Sequence, residues 1–340
     1  MRVATFMAYD RTRKSFQDNF SKVYKSQEQL ASGLKINRPS DDTIGMAKVL
    51  DYTLNIGKND QYIKNIDNAS TYLSLTDSVM DTVANNLQRV NELAVQGVSG
   101  QTDDGGRKDI AEEITVIAET LQNLANTKVN DRHIFGGYET NVSPFVKSGS
   151  SYSYVGDAND IKVNISQDFQ VIENVTGSDA FAYTLLATQT IQLEDGNYVH
   201  YIPTAGSPVM TVRISTSSVS TDPGIEEFTF QNFMEITQQM ADAFNNNNVD
   251  KAIALMKPVE EALEQVVKVR ATVGARINMI ERQRNNVEDN TLYVQGLKSD
   301  VEDADMAETV SDVAKAEIAL EALRQTSANL LSQSLLDFIQ

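Results

Sequence analysis

The 340-residue sequence has no cysteine, no tryptophan and only two histidines. Without cysteine the chain can form no disulfide, no thiolate metal site and no cysteine nucleophile. The histidines, His133 and His200, fall in regions of different periodicity, so we expect no catalytic or metal site shared by them. Phosphate-binding glycine loops and nucleophile elbows are also missing. We therefore predict that the protein is not an enzyme and binds no cofactor or metal.

Basic residues are scarce as well. The 29 lysines and arginines stand against 47 aspartates and glutamates, which gives a formal net charge of −18. Such a chain lacks a basic surface for nucleic-acid phosphates or an anionic membrane. No apolar run is long enough to span a bilayer, and the first residues are too charged for a cleaved secretory signal. If the protein leaves the cell, we expect a route that does not read such a signal.

Helical periodicity is strong at both ends of the chain. Through the first 34 residues apolar side chains recur at alternating spacings of three and four, which is typical of a helix that packs on another helix. Gly33 supplies a C-terminal stop. The same spacing returns from Val313 and drifts towards the end of the chain. We predict an assembly interface made of these two stripes: Phe6, Phe16, Phe20, Val23, Leu30, Leu320, Leu323, Leu330, Leu335 and Phe338.

The two ends also carry opposite charge. Residues 1–34 hold six basic and three acidic side chains, a balance of +3, and residues 300–340 hold two basic and nine acidic ones, a balance of −7. Complementary charge favours a choice of partner and register. We predict that the ends pair as a coiled coil. Burying one stripe returns less free energy than ordering such long helices costs, so we expect ends that are disordered in the monomer and order on assembly.

Two further helices are predicted in the first half of the chain. Ser40 is a good N-cap, and Asp41 and Asp42 follow it in the first turn, where the helix dipole favours negative charge. Apolar spacing then continues to Ala94 and ends in the turn-rich stretch 97–106. The next helix carries an apolar face over residues 110–124, and the short loop before it implies that it folds back on its predecessor.

The second half of the chain returns to helix after a β-rich stretch. Between residues 141 and 224, runs of period two at 161–165, 198–202 and 210–214 predict strands. Helical spacing resumes at Phe233, is interrupted at 245–248, and continues from Val249 past Pro258, with a second break around 296–305. Pro258 is tolerable in a first turn or at a kink.

These patterns predict a mainly α fold with an inserted β domain, in which the N- and C-terminal arms form a long antiparallel helical bundle or coiled coil. We expect three domains. The outer one pairs residues 1–38 with 303–340, the middle one pairs 39–140 with 225–302, and the third is the β-rich insertion at 141–224.

One acidic loop has a partial resemblance to a calcium site. Asp157 opens the run to Asp160, and Asp168 falls twelfth from it, but Lys162 stands where a calcium loop needs glycine. We therefore interpret this loop as a solvated turn.

Several segments resemble the flagellin superfamily: Met1–Thr5, Ser32–Asp42, Val273–Arg276 and the stretch that begins Asp303-Ala304-Asp305-Met306-Ala307. Within that superfamily, Ile134–Thr140 followed by Pro144-Phe145 resembles the members found at the hook–filament junction more than it resembles flagellin itself. The resemblance covers both helical arms, about three quarters of the chain. The β-rich insertion matches no family pattern.

The resemblance implies an axial protein of the bacterial flagellum, outside the cell, exported by the flagellar type III apparatus. Its implied partners are hook-associated protein 1, flagellin, further copies of itself, and an export chaperone at the C-terminal helix near residues 320–338. Two alternatives are a filament subunit and, from a different class, a secreted helical effector or binding module. The last would not need its two ends to pair.

Overall fold

A computed structural model of the protein describes residues 2–149, 151–183, 188–193, 196–204, 207, 209–222 and 224–339. Side chains are described for residue 7 and, within those ranges, for residues 9–327. The helices are α1 (Arg2–Ser32), α2 (Thr43–Val98), α3 (Asp104–Ala125), α4 (Gly177–Phe181), α5 (Phe233–Asn245), α6 (Val249–Glu302) and α7 (Met306–Ile339). None of these described helices is long and apolar enough to cross a membrane.

The strands are short and antiparallel. They are β1 (Lys128–Val129), β2 (Arg132–His133), β3 (Phe145–Ser148), β4 (Ser151–Tyr154), β5 (Lys162–Ser166), β6 (Phe169–Ile172), β7 (Gln189–Gln192), β8 (Tyr198–Pro203), β9 (Met210–Ser215) and β10 (Glu226–Phe230). One sheet has the order β10-β9-β8-β7, and the other pairs are β1-β2, β3-β4 and β5-β6. The predicted fold class, long helices at both ends around a small β-rich part, is confirmed.

The chain forms two compact units. Unit 1 holds residues 1–61 with 286–340, and unit 2 holds residues 62–285. The three domains expected from the sequence, with boundaries near 38 and 303 and near 140 and 225, stay a prediction.

In unit 1, helices α1 and α7 pack against each other. Gly33, with φ +72°, ends α1 as expected, because this backbone conformation suits glycine. Leu34 and Asp303 form an antiparallel bridge, so the end of α1 meets the start of α7 and the helices run in opposite directions. The predicted pairing of the two ends is therefore present within one chain.

Among the described side chains, only part of the predicted stripe forms the contact between these helices. On α7 a series of half-buried or buried positions keeps a heptad spacing: Thr309, Val313, Ala316, Leu320, Leu323 and Ser327. On α1 a series with similar spacing is Thr12, Ser15, Asn19, Val23, Ser26 and Leu30. The α1 side of the seam is thus mostly small and polar, and Val23 is its one buried apolar side chain, 8% exposed.

Unit 2 holds the best-buried core. Helix α3 packs on α5, a contact that the sequence did not predict. Arg89 of α2 binds Glu113 of α3 at 2.7 Å, as expected if α3 folds back on α2. Ion pairs of α6 with α2, Arg270 to Asp77 and Arg284 to Asp67, run in antiparallel register.

An aromatic cluster lies beside the segment 134–140. The Phe181 ring packs edge-on against Phe135 at 5.0 Å and Phe145 at 5.3 Å between centroids. The Tyr154 hydroxyl donates to the Phe135 carbonyl at 3.0 Å. A side chain at position 177 would collide with Tyr154 and Phe145, so glycine is required there. The motif 134–145 therefore has a structural role in the core of unit 2.

Pro258 does not lie in the first turn of its helix, and a side chain supplies the hydrogen bond that this proline removes. It lies in the third turn of α6 and has no N–H to donate to the carbonyl of Ala254, four residues earlier. The Tyr201 hydroxyl of β8, which is buried, donates to that carbonyl at 2.9 Å instead. A strand residue thus supplies the hydrogen bond that the proline removes.

The two histidines are buried and hydrogen-bonded. Nδ1 of His133 lies 2.9 Å from the Asn126 carbonyl, and burial is the main cause that lowers the pKa of His133. His200 contacts the hydroxyls of Thr190 and Ser215 at 2.9 and 3.0 Å. Asp157 accepts from the backbone N–H groups of Tyr138 and Asn159, which is turn geometry.

One local expectation is wrong and another holds only in part. The N-cap of α2 is Asp42 rather than Ser40, because the Asp42 carboxylate accepts from the N–H groups of Ile44 and Gly45. The second break, expected around residues 296–305, is present but covers only residues 303–305, since Gly296 weakens α6 without ending it.

Candidate assembly surface

Two short linkers of unit 1, residues 33–42 and 302–305, are hydrogen-bonded to each other. We call this pair of linkers the elbow. The Lys35 N–H donates to the Glu302 carbonyl at 2.7 Å, and the Ala304 N–H donates to the Gly33 carbonyl at 2.9 Å. Ile36 is 3% exposed between them. Because both linkers are fixed at one point, α1 and α7 leave the elbow side by side.

Asp41 fixes the first linker. Its carboxylate binds the Lys25 ammonium at 3.1 Å and accepts the N–H groups of Asn37 and Arg38 at 3.3 and 3.0 Å. The bond from Lys25, followed by the backbone bonds, holds the pKa of Asp41 below its ordinary value. The sequence pattern indicated for Asp41 only a charge at the start of a helix.

The rest of the motif 38–42 also serves this turn. Arg38 binds Glu28 at 2.8 Å, and this carboxylate raises the pKa of the guanidinium. A Cβ atom at Gly45 would lie 2.5 Å from Cδ1 of Ile36, so glycine permits the close approach of α2 to the linker. The motif positions α1 rather than forming a reactive site.

Helix α1 has an aromatic face that is open to solvent, formed by Tyr9, Phe16, Phe20 and Tyr24. The exposed fractions of these residues are 60%, 38%, 57% and 57%. A shallow depression of about 340 Å³ lies along it, lined by Phe16, Gln17, Phe20, Ser21 and Tyr24. At 100° per residue the aromatic face is roughly 100° round the helix from the seam with α7. The face therefore lies beside the seam and not within it.

The predicted interface residues consequently fall into separate groups. Val23, Leu30, Leu320 and Leu323 belong to the seam between α1 and α7. Phe16 and Phe20 belong to the exposed aromatic face. The side chains of four others lie outside the described residues: Phe6, Leu330, Leu335 and Phe338. The role of all ten in assembly stays a prediction.

Tyr24 is a member of the face that sequence reasoning missed. Its spacing of four from Phe20, the same as that of Phe20 from Phe16, is the signal that could have found it. Helix α7 adds exposed apolar side chains of its own, Met306 at 48%, Val310 at 53% and Ile318 at 71%. Apolar patches of this kind mark surfaces that bind another protein.

The surface offers packing and charge rather than reaction chemistry. In the part of the chain that the structure describes, no group of three or more His, Asp or Glu side chains is placed to hold a metal ion. What the arrangement can do is present aromatic rings and charged side chains on a straight helix.

Comparison with known proteins identifies the family. The model of the bacterial flagellin N-terminal helical region matches residues 3–140, and that of the C-terminal helical region matches residues 256–339, together more than half of the chain. The chain belongs to the bacterial flagellin family, and it is a structural component of the flagellum.

The similar proteins include both hook-associated proteins and flagellins. The flagellar hook-associated protein 3 of Escherichia coli K12 is 25% identical over 338 residues, 98% of each chain. A flagellin of Listeria innocua is 27% identical over 335 residues, 98% of this chain and 96% of its own. The solved structure of a putative flagellar hook-associated protein from Vibrio parahaemolyticus shares the fold, with a TM-score of 0.61 at 17% identity over 77% of this chain and 100% of that one.

Proposed function

We propose that the protein is an axial component of the flagellum that joins the hook to the flagellin filament. The observation that carries this is the exposed aromatic face of α1, formed by Tyr9, Phe16, Phe20 and Tyr24. The segment 134–145, which resembles junction members more than flagellin, favours the junction over the filament, and the similarity to hook-associated protein 3 over 98% of each chain agrees with it.

The proposed partners follow from this position. Hook-associated protein 1 lies on one side, flagellin on the other, and further copies of the chain lie alongside. An export chaperone covers the C-terminal helix before assembly, since apolar side chains there are costly to expose. The protein works outside the cell, as part of the flagellum. The paired ends line the inside of the assembled tube.

The aromatic face gives a direct test. We expect Phe20→Asp to abolish attachment of filaments in cells that lack their own copy of the gene, because a carboxylate there is desolvated in the assembly. The matched control is Val116→Asp on α3 of unit 2, where Val116 is 62% exposed. Both purified variants should unfold at the temperature of the parent. Normal attachment by Phe20→Asp would overturn the proposed interface.

A filament subunit is the second candidate, favoured by the similarity to Listeria flagellin. The two roles differ when the gene is deleted. Loss of a junction protein leaves hooks without filaments, and flagellin is released into the medium. Loss of the filament subunit also leaves hooks without filaments, but the medium then contains no flagellin. Long filaments formed by the purified chain alone would favour the second role.

The prediction that the ends order only on assembly is tested by hydrogen exchange. We expect backbone amides of residues 2–32 and 306–339 to exchange rapidly in the purified monomer and slowly in isolated flagella. Strong protection of both ends in the monomer would favour a self-contained helix pair, and with it the soluble binding module.

A further inference from the structure

In the described parts of α1 and α7, the opposite charges of the two helices do not pair with each other. Among the side chains that the structure describes, no ion pair joins α1 to α7. The ion pairs of α1 go to its own residues or to the elbow, as in Arg13 to Asp10 and Lys25 to Asp41. Those of α7 stay within α7, from Lys315 to Asp312 and from Arg324 to Glu321. Charge on both helices is thus available to another molecule.

The basic side chains of α1 gather on one face. Arg11, Lys14, Lys22 and Lys25 fall within an arc of about 80°, on the side of the helix opposite the aromatic face. All four are exposed, and Asp18 is the one acidic residue among them. Of these, Lys25 binds Asp41, while the other three have no ion-pair partner among the described side chains. We call Arg11, Lys14 and Lys22 the basic face.

An exposed acidic cluster lies at the elbow. It consists of Asp300, Asp303, Asp305 and Glu308, with no basic residue between positions 300 and 308. Asp305 caps α7, and Asp303 is bonded to the hydroxyl of Ser299. Asp300 and Glu308 have no such partner among the described residues. The cluster is therefore a patch of incompletely compensated negative charge.

We propose that the acidic cluster at the elbow docks on the basic face of α1 in a neighbouring copy of the chain. The proposal rests on the proposed function and names the contact between copies. The basic face centres near residue 16 and the elbow near residue 33, so the pairing sets neighbours about 25 Å apart along the helix axis. Two different faces that bind each other give a head-to-tail contact, which repeats from copy to copy.

Charge reversal tests the pairing. One variant carries Lys14→Glu with Lys22→Glu, and a second carries Asp300→Lys with Glu308→Lys. In either variant alone, like charges face each other in every contact between copies. We therefore expect the fraction of cells that bear filaments to fall about tenfold or more. In cells that express both variants, a contact between one variant and the other again brings opposite charges together. We therefore expect filaments to return.

A matched control shows that the effect belongs to the site. Lys108→Glu with Lys268→Glu makes the same change of charge on exposed side chains of unit 2, and filament attachment should stay at the level of the parent chain. Attachment lost in this control as well would overturn the proposal, because it would make net charge, and not the docking contact, the cause.

Cross-linking identifies the partner. The parent chain has no cysteine, so Lys22→Cys in one copy and Asp300→Cys in another introduce the only thiols. Lys22 lies about 16 Å along α1 from the elbow, beyond the reach of a disulfide within one chain. We expect disulfide dimers in isolated flagella only when both variants are present. No dimer when both variants are present, or as much dimer with either variant alone, would overturn the copy-to-copy contact.

The outcomes separate this inference from the proposed function. If both reversed variants attach filaments as the parent chain does and no dimer forms, the docking contact is wrong while the junction role stands. If filaments attach in cells that lack the chain altogether, the junction role fails.

Discussion

The two units differ in how far their aromatic side chains are exposed to solvent. In unit 2, six phenylalanine rings are at most 2% exposed: Phe135, Phe145, Phe181, Phe230, Phe233 and Phe244. In unit 1, the rings of Tyr9, Phe16, Phe20 and Tyr24 are between 38% and 60% exposed. The same residue types thus form a core in one unit and a surface in the other.

This difference separates folding from assembly. Unit 2 buries its large apolar groups within the chain, so it has what a stable monomer needs. Unit 1 joins two helices through small side chains and leaves its largest ones outside, where they gain burial only from another molecule. We infer that substitutions in unit 2 act on stability and that those on the aromatic face act on assembly.

The largest expected effect on stability is that of Phe181→Ala. The ring is fully buried and packs on Phe135, Phe145 and Phe233, so its loss leaves a cavity in unit 2. We expect the free energy of unfolding to fall by about 3–5 kcal/mol, measured by urea denaturation. A loss below about 1 kcal/mol would mean that the aromatic cluster is not the centre of this core.

A smaller effect is expected where β8 meets α6. Tyr201→Phe leaves the Ala254 carbonyl without a donor and should cost about 1–3 kcal/mol of unfolding free energy. In a Pro258→Ala background the residue at 258 regains its N–H, so the same substitution should cost about 1 kcal/mol less. Urea denaturation of the four chains measures this coupling. Equal costs in both backgrounds would contradict the role assigned to the hydroxyl.

A still smaller effect on stability is expected at the elbow, and this effect should depend on pH. Because the folded-state pKa of Asp41 is lowered, its stabilising effect is present at neutral pH and is lost as the pH falls below about 4. Asp41→Asn should remove about 1 kcal/mol at pH 7, and the difference from the parent chain should vanish as the pH falls through the folded-state pKa. Hydrogen exchange at the amides of Asn37 and Arg38 reports it. Asp51→Asn, an exposed change on α2, is the control, and an equal response in both variants would count against the elbow.

The smallest effect on stability is expected on the aromatic face. Phe20→Ala should change the unfolding free energy of the monomer by no more than about 0.5 kcal/mol, because the ring is already 57% exposed. Filament attachment should nevertheless fall, since the ring is buried only in the assembly. A monomer destabilised by 2 kcal/mol or more would show that Phe20 supports the helix pair itself.

Much of the helical framework was predictable from the sequence. The spacing of Val313, Ala316, Leu320 and Leu323 matches the seam of α7, and the interruption at 245–248 falls between α5 and α6. Strands β5, β8 and β9 were found from their alternation. Strands β3, β4, β6 and β7 were missed because runs of four residues carry too little periodicity to distinguish them from loops.

The candidate site was predictable only in part. The sequence indicated the aromatic stripe of α1 but placed it on the same surface as Val23 and Leu30. Large rings are the natural choice for a seam when only burial is considered. The structure instead packs Ser15, Asn19 and Val23 towards α7, where small side chains permit a close approach.

The sequence by itself determined where helices lie, where α1 stops and which side chains are too apolar to stay in water, because these depend on spacing and local conformation. Only the tertiary structure decided which face of α1 packs on α7, that α3 packs on α5, and that Tyr201 completes the hydrogen bonding of α6 at Pro258. These contacts join residues far apart in the chain, and no local pattern encodes which of several apolar faces will meet.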